Sequence, residues 1–220
     1  YAWREYGNRV GAWRCLALFE ALKLPVGVIV NTALIDHAPE LVAAFVARGD
    51  ELIAHGRSNS EAQGDMARDE EHALLVGGRP PQGWLSPWIS ESRDTPDLLV
   101  ETGYRYTLNW CHDDQPTRLS TSAGPLWAVP YPQELNDIPA IVARQMSGAD
   151  FADMIVDQFD EMLRQSSEQP LVMGIALHPY LVGQPHRLPH LRRALGHVAA
   201  AAGVWWTTPG RICDAVEAAE

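Results

Sequence analysis

The chain has 220 residues, and 17 Lys+Arg against 28 Asp+Glu give a formal net charge of −11. This acidic balance excludes nucleic acid as a partner, because such binding depends on clustered Lys and Arg that release counterions from phosphates. Apolar residues make up 46% of the chain and charged residues 20%, which is typical of a globular domain rather than a disordered chain. A single domain over residues 1–220 is therefore expected.

Cysteine usage and hydropathy bear on the compartment. Cys15, Cys111 and Cys213 are an odd number at wide spacing without a C-x-x-C pair, which predicts three reduced thiols in a cytoplasmic protein. No apolar run approaches the roughly 18 residues of a membrane span, and no charged segment followed by an apolar one opens the chain, so no membrane partner is expected. The chain opens on Tyr1 rather than methionine, and we expect further residues upstream.

Apolar periodicity in the first part of the chain predicts alternating helices and strands. Pro25 ends the first helix, and the continuous apolar run after it is typical of a strand buried on both faces. Gly49 gives the second helix a C-terminal stop, and His55 follows the second strand directly. The predicted elements are helix 9–23, strand 26–30, helix 39–48 and strand 51–54.

The same alternation continues to the end of the chain. Ser147 and Asp150 match a capping box that opens a long amphipathic helix. The apolar run 171–177 predicts a buried strand that ends at His178. The other predicted elements are a polar helix near 66–76, helix 96–102, strand 104–110, a hairpin over 118–131, helix 189–202, strand 204–208 and helix 210–219.

This pattern predicts an α/β fold with a mostly parallel sheet, either open or closed into a barrel. Ligands of such folds bind at the carboxyl ends of the strands, where loops vary over a fixed sheet. The residues that leave the predicted strands there include two histidines and a carboxylate pair, a set suited to acid/base or metal chemistry. They are His55, Pro87 with Trp88, Asp113 with Asp114, His178, and Thr207 with Thr208.

Each of these candidates has a structural interpretation beside the catalytic one. His55 precedes Gly56 and is equally suited to cap a turn. The pair Asp113–Asp114 stands before Gln–Pro, a pattern typical of a solvated turn. His178 is the stronger candidate, because a histidine at the end of an apolar strand must find a polar partner or face a cleft.

Six groups of residues occur in a recognisable order along nearly the whole chain. They are Arg4-Glu5-Tyr6-Gly7-Asn8-Arg9-Val10-Gly11, His55-Gly56 with Asn59-Ser60, Gly83-Trp84-Leu85-Ser86-Pro87, Asp113-Asp114-Gln115-Pro116, Glu134-Leu135-Asn136-Asp137 and Ile175-Ala176-Leu177-His178-Pro179-Tyr180. Their order and spacing resemble the polysaccharide deacetylase (NodB-homology) superfamily, in particular its branch of deacetylase-like allantoinases, cyclic imide hydrolases and peptidoglycan deacetylase-like proteins. The resemblance implies a distorted (β/α) barrel with about seven parallel strands. It also implies hydrolysis of a carbon–nitrogen bond other than a peptide bond.

The resemblance further implies roles for particular residues. In metal-dependent members of the superfamily, two aspartates on the first strand supply the base and one metal ligand. A His-x-x-x-His motif supplies two more ligands, and a later Leu-x-His motif supplies the general acid. The segment from Ile175 to Tyr180 matches the later motif, so His178 is expected to protonate the leaving nitrogen.

The departures from the superfamily pattern concern the metal. Asn59 stands at the position of the second histidine, and a carboxamide is a poorer zinc ligand than an imidazole. The first-strand aspartates are expected upstream of Tyr1, and the stretch from Asp65 to Gly83 is shorter than the helix and strand usual in the superfamily. These 220 residues therefore do not supply a complete three-ligand site.

Two mechanisms remain open. With a divalent metal such as zinc, His55 and an upstream carboxylate would hold the ion, and its bound water would have a pKa lowered to about 7. Without a metal, Glu5 or the aspartate pair before Gln–Pro would deprotonate water while Arg4 or Arg9 neutralises the developing oxyanion. Asn59 favours the metal-free mechanism. The alternative for Glu5 and Arg9 is an exposed salt bridge, which contributes little to stability.

Three functions are compatible with these residues. The first is an amidohydrolase acting on a small linear or cyclic amide. The second is a metal-dependent N-acetyl-sugar deacetylase in which tryptophans stack on sugar rings. The third is an inactive barrel that binds a carbohydrate or metabolite, and the retained acid/base residues favour an enzyme over it. The many aromatic residues and the superfamily resemblance predict a homo-oligomer.

The expected site residues follow from these hypotheses. The expected catalytic residues are His178, Asp113, Asp114 and Glu5. The expected substrate-binding residues are Arg4, Arg9, His55, Asn59, Trp84, Pro87 and Glu134. His55 is also the expected metal ligand if an upstream carboxylate completes the site.

Overall fold

The computed structural model describes residues 2–59 and 80–219, so the helix expected near 66–76 and the short stretch after Asp65 lie outside the described residues. The chain divides into two compact units. Unit 1 comprises Tyr1–Leu24 and Tyr131–Trp206, and unit 2 comprises Pro25–Pro130 and Thr207–Glu220. The single domain expected from the sequence stays a prediction.

Helices and strands alternate over much of the described chain. The helices are α1 (Ala2–Tyr6), α2 (Ala12–Ala21), α3 (Ala33–His37), α4 (Pro39–Ala47), α5 (Thr95–Glu101), α6 (Gly148–Gln165), α7 (Pro179–Val182), α8 (Leu188–Ala200) and α9 (Pro209–Glu217). The strands are β1 (Gly27–Val30), β2 (Glu51–Ala54), β3 (Gly83–Trp84), β4 (Tyr106–Thr107), β5 (Thr117–Ser120) and β6 (Pro125–Ala128). Gly7–Gly11 and Ile138–Ala143 form π-helical turns, and Pro87–Ile89 forms a 3-10 turn.

Unit 2 is built on a six-stranded sheet in the order β1-β2-β3-β4-β6-β5. The pairs from β1 to β6 are parallel, and the predicted hairpin of β5 and β6 is antiparallel. The register aligns Val30 with Ala54, Ala54 with Trp84, and Trp84 with Thr107, so the first four strands end level with one another. The residues that follow these strands therefore lie side by side along one edge. This mostly parallel sheet confirms the predicted α/β class.

At the amino edge of the sheet, a half-buried carboxylate joins three elements of unit 2. Tyr106 in β4 donates its hydroxyl to Glu51 Oε1 at 2.6 Å, and the Gly210 backbone N–H in the first turn of α9 donates to Glu51 Oε2 at 2.9 Å. Burial and the neighbouring carboxylate raise the pKa of Tyr106 well above its ordinary value, so the phenol stays a donor. A Cβ on Gly83 would overlap the Tyr106 ring, so this arrangement requires glycine there.

Unit 1 is mainly helical in its described part. The predicted capping box opens α6, because Ser147 Oγ accepts from Asp150 N at 3.2 Å while the Asp150 carboxylate accepts from Ser147 N at 2.9 Å. The apolar face of α6, which includes Phe151 and Ile155, packs against α8. α1, the first π-helical turn and α2 form one helical run, which confirms the helix predicted from residue 9. Among residues 2–59 and 80–219, no helix is long and apolar enough to cross a membrane.

Three predicted strands differ from the structure. Residues 171–177 form no ladder, and Ala176 makes a single parallel bridge with Asn136. Residues 204–208 form no strand, and the strand expected over 104–110 is reduced to Tyr106–Thr107. The physical reason is that an apolar run indicates only that a segment is buried. A strand also needs a neighbouring strand to pair with, and the local sequence does not encode that partner.

Candidate active site

His178 and Asp137 form a hydrogen-bonded pair in unit 1. His178 Nδ1 lies 2.6 Å from Asp137 Oδ1, and the His178 backbone N–H donates to Asp137 Oδ2 at 2.7 Å. With the Nδ1 proton donated to the carboxylate, Nε2 is the ring nitrogen that exchanges a proton with a substrate. The His178 side chain is 33% exposed and the Asp137 side chain 0%, so the imidazole reaches solvent while its carboxylate partner does not.

Burial dominates the electrostatics of this pair. Desolvation raises the pKa of Asp137, and the hydrogen bonds and charge of His178 oppose that rise. A buried carboxylate is costly unless it is paired and hydrogen-bonded, and here both of its oxygens accept from one residue. The arrangement holds the imidazole through Nδ1, which leaves Nε2 as the nitrogen for proton transfer.

A single β-bridge brings the two partners together. Ala176 N donates to Leu135 O at 2.9 Å, and Asp137 N donates to Ala176 O at 3.2 Å. This bridge places Asp137 next to the backbone segment that leads into His178. The segment 171–177 therefore positions the site even though it forms no strand.

Sequence reasoning misses Asp137 and selects Glu134 from the same motif. Glu134 is exposed and pairs with Arg144, whose guanidinium lowers the pKa of the Glu134 carboxyl. Asp137 is fully buried. Along the chain it follows the apolar Leu135 and one asparagine, and it precedes the apolar Ile138. An acidic residue in such an apolar context is the signal that could have identified it, because buried carboxylates require a specific partner.

The turn that carries His178 packs directly on glycines of the N-terminal helical run. His178 directly precedes α7, and Pro179 is the first residue of that helix. A Cβ at Gly11 would lie 2.1 Å from Pro179 O, and a Cβ at Gly7 would lie 3.0 Å from the Tyr180 backbone nitrogen. Glycine at these two positions lets the helical backbones approach closely. The packing of two backbones fixes the position of the His178 turn.

Aromatic and cationic side chains lie beside the His178 imidazole. The Tyr180 ring is edge-on to the His178 ring, with centroids 6.1 Å apart and an interplanar angle of 72°. The Trp3 ring is edge-on to Tyr180 at 5.0 Å and 83°. Burial raises the pKa of Tyr180 and Arg4 opposes that rise, so the phenol stays neutral at neutral pH.

The other N-terminal candidates lie on the same helical run. Glu5 is half-buried in α1 and accepts a hydrogen bond from Asn8 Nδ2 at 3.3 Å. Arg4 and Arg9 are both exposed. The positive charge of Arg4 opposes the rise in the pKa of Tyr180, which lies in the helix that follows His178.

A row of polar side chains follows the carboxyl ends of β1 to β4 in unit 2. Asn31 Nδ2 donates to His55 O at 2.5 Å, and His55 Nδ1 lies 2.5 Å from Leu85 O. The buried Asn109 carboxamide accepts from Ser86 N at 2.7 Å and donates to Ser86 Oγ at 2.9 Å. We call Asn31, His55, Ser86 and Asn109 the polar row. Hydrogen bonds between neighbouring loops hold it in place.

The described residues near His55 do not complete a metal site. A backbone carbonyl on Nδ1 is an arrangement that orients a ligating histidine through Nε2. Asn59, at the position of the second expected histidine, has a buried Oδ1 without a hydrogen-bond partner among the described residues. Within residues 2–59 and 80–219, no group of three His, Cys, Asp or Glu side chains is placed to hold a metal ion. The donors in the described part of the chain therefore do not form a zinc site, and we assign no catalytic step to a metal.

The remaining predicted site residues of unit 2 are buried in the core or lie in an exposed turn. Trp84 is buried, and its indole N–H donates into the polar row, so it belongs to the core. Pro87 is buried at the start of the 3-10 turn. Asp113 and Asp114 are exposed, and Asp113 Oδ1 accepts from Gln115 N at 2.9 Å, as in a solvated turn. The role of this aspartate pair as a base stays a prediction.

Known proteins resemble this chain over most of its length. It is 25% identical over 250 residues to the peptidoglycan deacetylase of Helicobacter pylori (strain ATCC 700392 / 26695), an alignment that covers 95% of this chain and 84% of that protein. Its structure is similar to PuuE allantoinase, with a TM-score of 0.86 and 28% identity over 97% of this chain and 74% of that chain. Over most of its length the chain is therefore similar to proteins of the polysaccharide deacetylase (NodB-homology) superfamily. No family model matches it.

A second solved structure supports the same polysaccharide deacetylase superfamily. A probable polysaccharide deacetylase from Pseudomonas aeruginosa PAO1 has a TM-score of 0.85 and 29% identity, over 96% of this chain and 73% of that chain. The superfamily resemblance read from the motifs is thereby confirmed. Two of those motifs supply the Asp137–His178 pair.

Proposed function

We propose that the protein hydrolyses a carbon–nitrogen bond in a small linear or cyclic amide. Its relatives are named as deacetylases and an allantoinase. These names support an amidohydrolase that acts on carbon–nitrogen bonds other than peptide bonds. The observation that carries the proposal is the Asp137–His178 pair, in which a buried carboxylate holds an imidazole that reaches solvent. Asn59, which stands at the position of the second histidine of metal-dependent members, favours a small amide over a metal-dependent sugar deacetylase.

His178 is the general acid of the proposed reaction. An amide nitrogen leaves poorly as an anion, so a proton must reach it as the carbon–nitrogen bond breaks. The imidazolium Nε2 supplies that proton, while Asp137 holds the ring through Nδ1 and stabilises its positive charge. Positioned general acids contribute about 10²–10⁴-fold to rates.

The water that attacks the carbonyl carbon needs a base. Glu5, half-buried in the same unit as His178, is the proposed base, and the exposed pair Asp113–Asp114 is the alternative. Arg4 and Arg9 are the proposed cations for the developing oxyanion. The proposed substrate contacts at His55, Asn59, Pro87 and Glu134 and the expected homo-oligomer stay predictions.

A substrate panel with matched histidine variants tests the proposal. Purified protein is assayed for hydrolysis of allantoin, hydantoin, cyclic imides and N-acetylglucosamine oligomers. On any accepted substrate, His178→Gln is expected to lower kcat by about 10²–10⁴-fold and Asp137→Asn to lower it as well, with KM changed little. His186→Gln is the matched control, because His186 is exposed and has no proposed role. Unchanged turnover in His178→Gln would refute the general-acid role.

One observation favours an N-acetyl-sugar deacetylase as the second candidate. The Trp88 side chain is 69% exposed, and its Nε1 donates to Asn59 O at 3.2 Å. An exposed indole beside polar groups is suited to stack on a sugar ring. Acetate release from N-acetylglucosamine oligomers, together with stoichiometric zinc that is lost in His55→Ala, would replace the first proposal with this one. Turnover that requires His178 would exclude an inactive binding module.

A further inference from the structure

The helix that follows His178 depends on other elements for its position. α7 contains only four residues, Pro179–Val182, and a helix of this length is not stable on its own in water. It packs against α1, the first π-helical turn and α2, which all belong to unit 1. Because His178 directly precedes α7, the contacts that hold this helix also hold the proposed general acid.

Two arginines donate hydrogen bonds to backbone carbonyls at the end of α7. Arg187 Nη1 donates to Leu181 O at 3.4 Å, and Arg14 Nη1 donates to Gly183 O at 3.2 Å. The last carbonyls of a helix lack partners within the helix, and side chains commonly supply them. Arg187 follows α7 by a few residues, whereas Arg14 lies in α2, 169 residues from its acceptor. Of the two, Arg14 therefore ties α7 to a distant element.

A single guanidinium nitrogen of Arg14 serves two acceptors. The same Nη1 also donates to Tyr6 Oη in α1 at 2.6 Å. An Nη nitrogen carries two hydrogens, so each acceptor can take one of them. The guanidinium holds its donors in a fixed plane, and it therefore fixes the Tyr6 hydroxyl and the Gly183 carbonyl relative to each other. We call Tyr6, Arg14 and Gly183 the arginine clamp.

The carbonyl in this clamp is closely connected to His178. Gly183 is buried, and its backbone N–H donates to Pro179 O at 3.0 Å. A Cβ at Gly183 would lie 2.4 Å from Pro179 O and 2.5 Å from Gly11 Cα, so no side chain fits there. Pro179 is the next residue after His178. A shift of Gly183 is therefore passed to His178 through one hydrogen bond and one peptide bond.

We infer that Arg14 is a positioning residue for the proposed general acid, because the arginine clamp fixes the end of α7 and thereby the place of the His178 imidazole. The inference rests on the proposed function and deepens it, since it gives residues of α1 and α2 a role in the same reaction. Arg14 acts through the backbone of α7 and needs no contact with the reacting atoms. A misplacement of about 1 Å costs about 10²-fold in rate, so a small shift of α7 is enough to impair catalysis.

Kinetics of Arg14→Met on an accepted substrate test the inference. The variant keeps an unbranched side chain but removes every donor of the clamp. We expect kcat to fall by about 10²-fold, with KM nearly unchanged because the substrate contacts remain. In the His178→Gln background, Arg14→Met should lower the residual kcat no further, since its effect acts through His178. A loss as large in that background as in the wild-type protein would overturn the inference.

Arg187→Met is the matched control. It removes the other arginine that donates to α7 and leaves the clamp in place, so kcat should stay at the wild-type value. If Arg187→Met and Arg14→Met lower kcat equally, the effect is a general weakening of the end of α7 and the inference is wrong.

Tyr6→Phe is a milder variant of the same clamp. It removes one oxygen and leaves the bond from Arg14 to Gly183, so kcat should fall, but by less than in Arg14→Met. Adding it to Arg14→Met should lower kcat no further. Should Arg14→Met fail to fold, Tyr6→Phe decides the question, and wild-type kcat in that variant would overturn the inference.

Nitrogen NMR of labelled histidine reports on the His178 ring without a substrate. The signals of His178 are those absent from the spectrum of His178→Gln. Arg14→Met should shift both ring nitrogens, because a displaced ring changes its hydrogen bond with Asp137, whereas Arg187→Met should leave them in place. Unchanged His178 signals in Arg14→Met would overturn the inference even if kcat falls.

The proposed function and this inference fail in different ways. Absence of hydrolysis by the wild-type protein over the whole panel defeats the proposed function, and the nitrogen spectra still decide whether Arg14 positions His178. Hydrolysis that depends on His178 but not on Arg14 or Tyr6 defeats the inference alone and leaves the proposed function standing.

Discussion

Gly11→Ala should displace the His178 turn through a single methyl group. The added Cβ would lie 2.1 Å from Pro179 O and 2.8 Å from Pro179 C, whereas ordinary contact begins at 3.4 Å. The obstructing atoms belong to the backbone, so no side-chain rotation can make room. The carbonyl must retreat by the difference of 1.3 Å, and His178 is the residue next to it.

The size of this displacement sets the expected effect. Catalytic groups must be held within about 0.5 Å of the productive geometry, and a misplacement of about 1 Å costs about 10²-fold in rate. We therefore expect kcat on an accepted substrate to fall by about 10²-fold. Overpacking at a backbone contact should also lower the free energy of unfolding by about 1–3 kcal/mol.

Steady-state kinetics and urea denaturation measure the two effects, with Gly196→Ala as the control. Gly196 lies in α8, and no atom lies within 4 Å of the position of an added Cβ. The same substitution there should leave kcat unchanged and raise stability by up to about 1 kcal/mol through helix propensity. Wild-type kcat in Gly11→Ala would refute the idea that this backbone contact positions His178.

Three further predictions concern unit 2 and the thiols. Trp88 and Ile89 have φ of 60° and 55°, in the left-handed region. Trp88→Gly should therefore raise the free energy of unfolding by about 1 kcal/mol through relief of backbone strain. A lower free energy of unfolding in urea denaturation would contradict this. Tyr106→Phe removes a donor from Glu51 and should cost about 1–3 kcal/mol. The pKa of Tyr106 is higher in the folded state than in the unfolded state. Its contribution to the free energy of unfolding is therefore complete below the unfolded pKa of about 10 and is lost at higher pH. In the variant, the free energy of unfolding should fall less steeply as the pH rises above that value. Burial raises the pKa of Cys15 and of Cys213 to about 12, whereas Cys111 is exposed, so Cys111→Ser should abolish the fastest reaction with a thiol reagent.

Local signals predicted most of the described helices and the β5–β6 hairpin. The capping box at Ser147 and the proline at the start of α4 act within a few residues of the chain, so the sequence alone contains them. The strand predicted over 171–177 failed because its pairing depends on a distant segment. The single bridge of Ala176 with Asn136 shows that an apolar run can be buried without entering a sheet.

The candidate site also combines residues that local sequence predicted with residues that only the fold brings together. His178 was recognised as a candidate from its place after an apolar run, and the order of short motifs indicated the resemblance to the superfamily. Asp137 was missed although its apolar neighbours Leu135 and Ile138 are a local signal, because the partner that this buried carboxylate requires lies 41 residues away in the chain. Trp84 illustrates the converse, since residue type favours a stacking role and the fold buries it.

The sequence by itself determined the α/β class, the resemblance to the superfamily and one candidate catalytic histidine, because these depend on residue types and on short-range order. Only the tertiary structure decided that Asp137 holds that histidine and that Gly7 and Gly11 support its turn. Asp137 and His178 are 41 residues apart in the chain. Contacts over such separations arise when packed backbones align, and no local pattern of residues records which partners will meet.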